Sequence, residues 1–403
     1  MLAKVTAKVI YGVVLVLVLA LGQAVSAEPK QGQQTVKVAL LYNSSGPMAS
    51  IDDPAYKGAV LAAKLINVQG GIAVGPKHIT LELIPTDTAS NIAKASSAAV
   101  DEKNKEVVAA IGYGDSAFVM SAASLFINKG IPYITPGATL PTLFQTLGDR
   151  FFMVAYGDDA QGQAIADYTY QTLNTKKIAM WVDTSMAFTL TVSDSFKQRF
   201  TELGGTILYA DLFTSGSSTP PDFSKLIERL KATEPKPEAI FIAAIDEEAA
   251  LSVKLLRNGG IDIPIVSADG FDSPFVEKAE TVKPIKNVYF ATHSFRGETR
   301  SEVTAFISAY KKEYGSEPAN AYAALGFDAV NILADAIKRA GQRNSDVPDV
   351  LDTSAISKAL SETKDFKVVT GTISMRQNMT PGKSIAIVEI KDGKYTVVHT
   401  WRP

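Results

Sequence analysis

The sequence predicts an α/β protein built as two doubly wound parallel-sheet lobes with a ligand cleft between them. Short β-branched runs alternate with longer amphipathic runs from residue 35 onward, as in parallel strands joined by crossover helices. The alternation falls into two successive series, which two lobes accommodate better than one oversized sheet. Glycines, hydroxyls and acids collect where strands end, and open parallel sheets bind their ligands there.

In the first series, strands over 35–42 and 79–85 flank a helix over 54–67, and a helix over 90–103 follows. Strands over 107–111 and 131–135 enclose an apolar helix, and a short strand over 151–155 leads to new territory. The second series places helices over 161–172, 191–203, 223–232 and 247–258 among strands over 177–182, 206–212, 239–244 and 264–268. A helical stretch over 302–340, broken at 315–318, must pack on one of the lobes. The tail alternates as strands over 370–375, 384–390 and 395–401, with a hairpin turn at Asp392-Gly393. No low-complexity linker separates the lobes. Short connections of this kind suit hinged closure on a ligand.

The first residues carry a different signal. Lys4 and Lys8 precede a nearly unbroken apolar run over 9–21, and Val25-Ser26-Ala27 supplies small residues before Glu28. This is the layout of a cleaved signal peptide over 1–27. As a membrane anchor the run falls short of the roughly 20 residues a span needs. The chain has 403 residues and no cysteine, so neither a disulfide nor a lipidated cysteine is expected. A periplasmic location without a lipid anchor follows, with burial alone stabilising a chain long enough for two domains. Without Lys4 and Lys8, 38 basic residues face 42 acidic ones, and no basic block suggests nucleic acid.

Two neighbouring strand ends carry the most chemistry. The run 107–118 ends a strand in Gly114, Asp115 and Ser116 before a helix, and the next strand ends in Gly137 and Thr139. Glycine permits close backbone approach, hydroxyls donate, and helix starts offer amides, so these loops suit a carboxylate. They are poor machinery for breaking a bond. Gly112 to Ala117 fits G-x-G-x-x-A, but Pro132 stands where a ribose-binding acid belongs, so a tight strand-to-helix turn explains the glycines better. Ser116 lacks the second glycine of a hydrolase elbow. The three histidines, His78, His293 and His399, read as surface or satisfied residues, and a transition-metal site is not expected. Acid clusters at Asp52-Asp53, Asp158-Asp159 and Asp246-Glu247-Glu248 precede predicted helices, where capping is the default. Asp246 also ends a second-lobe strand, so it is a candidate for the cleft. Asp269, in the run Ser-Ala-Asp-Gly-Phe, is either a cleft carboxylate or part of an Asp-Gly turn.

These residues lie within a broader similarity. The chain resembles the branched-chain amino-acid type of periplasmic solute-binding proteins of ABC importers, the leucine/isoleucine/valine-binding protein family with the type I periplasmic fold. The runs VKVALLYNSSGPMAS, INVQGGI, TDTASNIAKA, ITPGATLP, DFSKLIERLK and VSADGF carry the resemblance across the mature chain. It implies three hinge crossings, near Val154, Ala291 and Val369. One lobe would then comprise 34–154 and 292–369, the other 155–291 and 370–403. It also implies that Ser116, the Gly137 backbone and Thr139 hold a ligand α-carboxylate, and that Asp269 holds its ammonium. Two pocket tyrosines of the family fall at Ala187 or Phe188 and at Ile245 or Asp246, and a third aromatic position is Ile51. The cradle is kept while the walls have changed.

The expected function is therefore a monomeric periplasmic receptor that delivers a small amino acid or related carboxylate to an ABC permease. No cofactor, metal or enzymatic activity is implied. A sensor for a small amide or aromatic acid would need the same cleft, and an exported α/β hydrolase would need a placed histidine.

Overall fold

A parallel strand buried on both faces needs an unbroken apolar run, and Val38-Ala39-Leu40-Leu41 supplies one at the centre of the first sheet. The protein is described by a computed structural model covering residues 34–101, 106–216, 221–277, 279, 285–293, 297–343, 352–391 and 394–402. The expected signal peptide over 1–27 and the Asp392-Gly393 turn lie outside the described residues.

The first sheet contains β1 (Gln34–Tyr42), β2 (Ile72–Val74), β3 (Lys77–Asp87), β4 (Ala109–Gly112), β5 (Tyr133–Thr135) and β6 (Phe151–Met153). Its order is β2-β3-β1-β4-β5-β6, parallel except for the short β2–β3 hairpin. One face is covered by helices Ala49–Val68 and Tyr322–Arg343, which meet at backbone distance. A Cβ on Gly58 would lie 1.8 Å from the Ala323 carbonyl, and one on Gly326 would lie 1.9 Å from that of Ala55. Only glycine permits this approach. Helix Ser116–Ile127 buries Phe118, Val119 and Phe126 on the other face.

The second sheet contains β7 (Lys177–Asp183), β8 (Thr206–Phe213), β9 (Ala239–Ala243), β10 (Ile265–Ser267) and β11 (Val288–Thr292), all parallel. After β12 (Phe366–Val368), β13 (Gly371–Arg376) and β14 (Met379–Gly382), the tail strands β15 (Ile385–Lys391) and β16 (Lys394–Trp401) join it antiparallel. The order is β16-β15-β11-β10-β9-β7-β8. Two doubly wound lobes result. Among the described residues no helix is long and apolar enough to cross a membrane.

The chain changes lobe after β6, after β11 and again before β15. Around the last change, Ile373 and Met375 still pack with Val36 and Val38 in the first core, although the sequence boundary gives residues from 370 on to the second lobe. Strands β12–β14 form a small separate sheet against that core, so pairing with the second sheet begins only at β15. Buried Lys383 ties two connections together, donating to the Val154 carbonyl at 3.3 Å and to the Thr370 hydroxyl. Asp328 accepts from the Val369 and Thr370 amides, both at 2.9 Å. Burial pulls Lys383 down to about 7, against the opposing attraction of Asp328.

Several elements differ from the sequence reading. The helix expected from residue 54 begins at Ala49, so Pro54 lies inside it. Proline donates no hydrogen bond to the carbonyl four residues back, and Asn320 Nδ2 satisfies that Ser50 carbonyl at 2.8 Å instead. The helix read over 161–172 is α-helical over Asp158–Asp167 and closes as a π-helical turn over Tyr168–Thr172. Helix Thr353–Ser361 and strands β2, β12 and β14 were not legible, being too short to show a period.

Candidate functional site

The site forms where the first-lobe loops after β4 and β5 meet the second-lobe strand ends. Ser116 opens helix Ser116–Ile127 and is buried. The cap of that helix is Asp115, whose carboxylate accepts from the Ala117 and Phe118 amides. Those helix-start amides, expected to serve a ligand, are therefore already engaged, which leaves the hydroxyl as the group Ser116 offers. The two loops are stitched together. Thr135 Oγ1 donates to the Tyr113 carbonyl at 2.6 Å and accepts from the Ala138 amide at 3.0 Å. A Cβ on Gly137 would lie 2.8 Å from the Tyr322 ring and 3.2 Å from Gly114 Cα, so the glycine allows loops and ring to touch.

Asp52 supports the first loop from below. Buried in helix Ala49–Val68, it accepts from the Gly114 amide at 2.7 Å and from Asn43 Nδ2 at 2.6 Å. Burial raises its carboxyl to about 7 despite those bonds. Capping was the expected role, but the helix begins earlier and turns Asp52 inward. Tyr113 holds a left-handed φ of 51°, which costs a non-glycine residue roughly 1–2 kcal/mol. Its hydroxyl is anchored at 3.1 Å to Thr88.

Thr139 is buried at the lobe junction, and its carbonyl accepts from the Asp158 amide at 2.9 Å. Behind it stand the second-lobe acids. Gln161 sits between two of them, donating from Nε2 to Asp158 Oδ1 at 3.0 Å and accepting from the Asp269 amide at 3.3 Å. Asp158 is raised to about 7 by burial, against smaller opposing contributions from Thr139 and Gln161. Asp269 is 2 % exposed, and neither carboxylate oxygen has a hydrogen-bond partner. Burial, followed by the carboxyls of Asp158 and Asp272, pushes it well above the usual carboxylate range. Asp269 begins a short 3-10 turn, in keeping with the turn reading of the Asp-Gly pair.

Asp246 and Phe188 take other positions. Asp246 accepts from Ser50 across the lobes at 2.6 Å and from Ser273 at 2.9 Å. Both oxygens are engaged, so it ties the lobes together and is not a free ligand group. A second tie runs from the Ala321 amide to Asp272 at 3.0 Å. Phe188 presses on the turn after Asp269, 3.2 Å from where a Gly270 Cβ would stand, with Ile245 Cγ2 at 2.9 Å. It shapes the wall that holds the acid. Tyr322 completes the junction, its phenol raised by burial and then by Asp269, Asp272, Asp246 and Asp158.

Sequence reasoning missed His293. It was read as surface or satisfied, as His78 and His399 are on the surface, yet it is 1 % exposed and neither ring nitrogen has a hydrogen-bond partner. Its Nε2 lies 3.3 Å from Asp269 Oδ2 without hydrogen-bond alignment, and its ring stacks on Tyr156 at 3.9 Å. The Tyr156 hydroxyl is also buried without a partner. The strand-end rule that found Asp269 applies equally here, because His293 immediately follows β11. Among the described residues no cluster of three or more His, Cys, Asp or Glu could hold a metal ion.

The sequence profile of a family described as periplasmic binding protein matches residues 35–394. The Leu/Ile/Val-binding protein homolog 1 of Brucella melitensis is 27 % identical over 392 residues, covering 96 % of this chain and 98 % of the relative. Among solved structures, the branched-chain amino acid transporter substrate binding protein LivJ of Streptococcus pneumoniae, in complex with isoleucine, superimposes with a TM-score of 0.80. It is 29 % identical, over 92 % of this chain and all (100 %) of that one. A solute binding protein of an ABC transporter from R. palustris, in complex with benzoate, shares the fold at TM-score 0.75 and 21 % identity, over 92 % of this chain and 97 % of that one.

Proposed function

This chain belongs to the periplasmic binding protein family, as a non-enzymatic solute-binding protein of an ABC transporter, and from that premise we propose that its cleft holds a free amino acid. Ser116, the Gly137 backbone and Thr139 take the α-carboxylate, and Asp269 takes the ammonium. Phe188 forms part of the wall, and Asp246 closes the lobes behind the ligand. The observation that carries this reading is Asp269, a buried carboxylate with no partner for either oxygen. A buried anion is costly unless a cation pairs with it, and an ammonium meets that need through charge-assisted hydrogen bonds. A ligand whose only charge is a carboxylate would leave Asp269 without a cation and would be repelled by its ionised form. The isoleucine complex of the Streptococcus relative supports an amino acid, while the benzoate complex is similar in fold alone.

Closure follows from the same arrangement. We assign the crossings to the connections near Val154, Ala291 and Val369, and the ties Ser50–Asp246 and Ala321–Asp272 belong to the closed form. A ligand that binds the closed form better shifts the population towards it. The mature protein, released after cleavage of residues 1–27, then presents its closed lobes as a monomer to the permease.

A thermal-shift screen of the purified protein tests the reading. Free amino acids should raise the melting temperature in proportion to the logarithm of their concentration above the dissociation constant. A shift with aromatic acids and none with any amino acid would overturn it.

A further inference from the structure

We propose that His293 determines specificity, selecting an amino acid whose side chain carries a neutral hydrogen-bonding group, a hydroxyl or carboxamide, over an aliphatic one. This rests on the amino-acid reading above and narrows it.

The inference begins with what an amino acid leaves unsatisfied. Its carboxylate is taken by the first-lobe hydroxyls, and its ammonium matches the two free oxygens of Asp269. An aliphatic side chain has nothing further to offer. Yet His293 Nδ1 and Nε2 and the Tyr156 hydroxyl are also buried without hydrogen-bond partners, beside the same carboxylate. Buried polar groups are nearly always paired, so three unpaired ones side by side call for an explanation, such as a bound molecule. The stack of His293 on Tyr156 holds both rings at the end of β11, beside Asp269.

The chemistry of that end then selects the side chain. Burial, with a smaller contribution from Lys383, holds the imidazole well below its ordinary range, so it is neutral and offers one donor and one acceptor. A hydroxyl or carboxamide also carries both and can answer either. A side-chain carboxylate would face Asp269, Asp158 and Asp272, whose carboxyls already repel one another. A second cation would need another ionised carboxylate, but Asp246 is engaged by Ser50 and Ser273. Asp158, held at Oδ1 by Gln161 with Oδ2 buried and unpaired, is raised by burial to about 7 and so resists the ionised form. A neutral polar side chain remains.

Calorimetric titration of the purified protein with threonine, asparagine and glutamine against valine, leucine and isoleucine tests this. At least one polar amino acid should bind about tenfold or more tightly than every aliphatic one. His293→Leu should abolish that ratio, and His293→Gln, which keeps a donor and an acceptor, should retain most of it. A purely structural histidine would lower all affinities together and leave the ratio unchanged. Aliphatic amino acids binding as tightly as polar ones to the unaltered protein would overturn the inference while leaving the amino-acid reading intact. That result needs no variant to fold. Binding of no amino acid at all would overturn both.

Discussion

The two halves of the cleft are finished to different degrees. On the first-lobe side, Asp115 caps its helix, Asp52 holds the Gly114 amide and Thr135 links the two loops. On the second-lobe side, Asp269, His293 and Tyr156 carry buried polar atoms that no protein group satisfies. The first lobe is a preorganised surface that stands without a ligand. On the proposed reading the second is completed by one, because a buried carboxylate ionises readily only when something of opposite sign arrives. Binding energy and selectivity should therefore divide unequally between the lobes.

Asp269→Asn tests that division most severely. It keeps the shape and removes the charge, and breaking a buried charge pair costs about 3–5 kcal/mol, so amino-acid affinity should fall by two orders of magnitude or more. Calorimetry should also show the wild-type affinity weakening as pH falls, since burial has raised this carboxyl and the ammonium needs it ionised. The variant should lose that dependence. Full affinity in the variant would mean that the two halves do not differ as described.

The first-lobe counterpart is the double replacement Ser116→Ala and Thr139→Ala. With about 1.5–3 kcal/mol for each hydrogen bond to a charged group, a loss of about a hundredfold or more is expected. Because the loops are held by Asp52, Asp115 and Thr135, thermal stability should change little. A folded double variant with unchanged affinity would remove the carboxylate from this lobe.

A smaller effect is expected at the tie between the halves. Ser50→Ala deletes the donor to Asp246 and should cost about 1 kcal/mol of the closed form, seen as a roughly fivefold faster ligand dissociation. An unchanged dissociation rate would show that this contact does not bear on closure.

Asp52→Asn should affect affinity least but sharpen the contrast in stability. The folded carboxyl is raised to about 7 from an unfolded value near 3.9, so the folded state binds the extra proton between those values. This group's contribution should make wild-type stability fall as pH rises from about 4 to about 7. Denaturant titrations of the variant across that window should show a flatter profile. An identical slope would mean Asp52 does not titrate there.

Most of the architecture was legible because strands buried on both faces must be apolar and crossover helices must be amphipathic. The candidate site residues were legible where they follow a strand, as at Ser116, Thr139 and Asp269. They were illegible where meaning came from a distant partner. Asp52 looked like a cap, but an early helix start turned it towards Gly114. Asp246 looked like a cap or a ligand group, but Ser50, far away in sequence, engages it. His293 looked unremarkable because nothing within the local run reports that both ring nitrogens are sealed in.

The sequence by itself determined two wound lobes and the strand-end positions of the candidate hydroxyls, glycines and acid, since these follow from local periodicity and residue chemistry. Only the tertiary structure decided which of those polar groups are already satisfied. Hydrogen-bond capacity is a property of one residue, but its use depends on what the closed fold brings within about 3 Å.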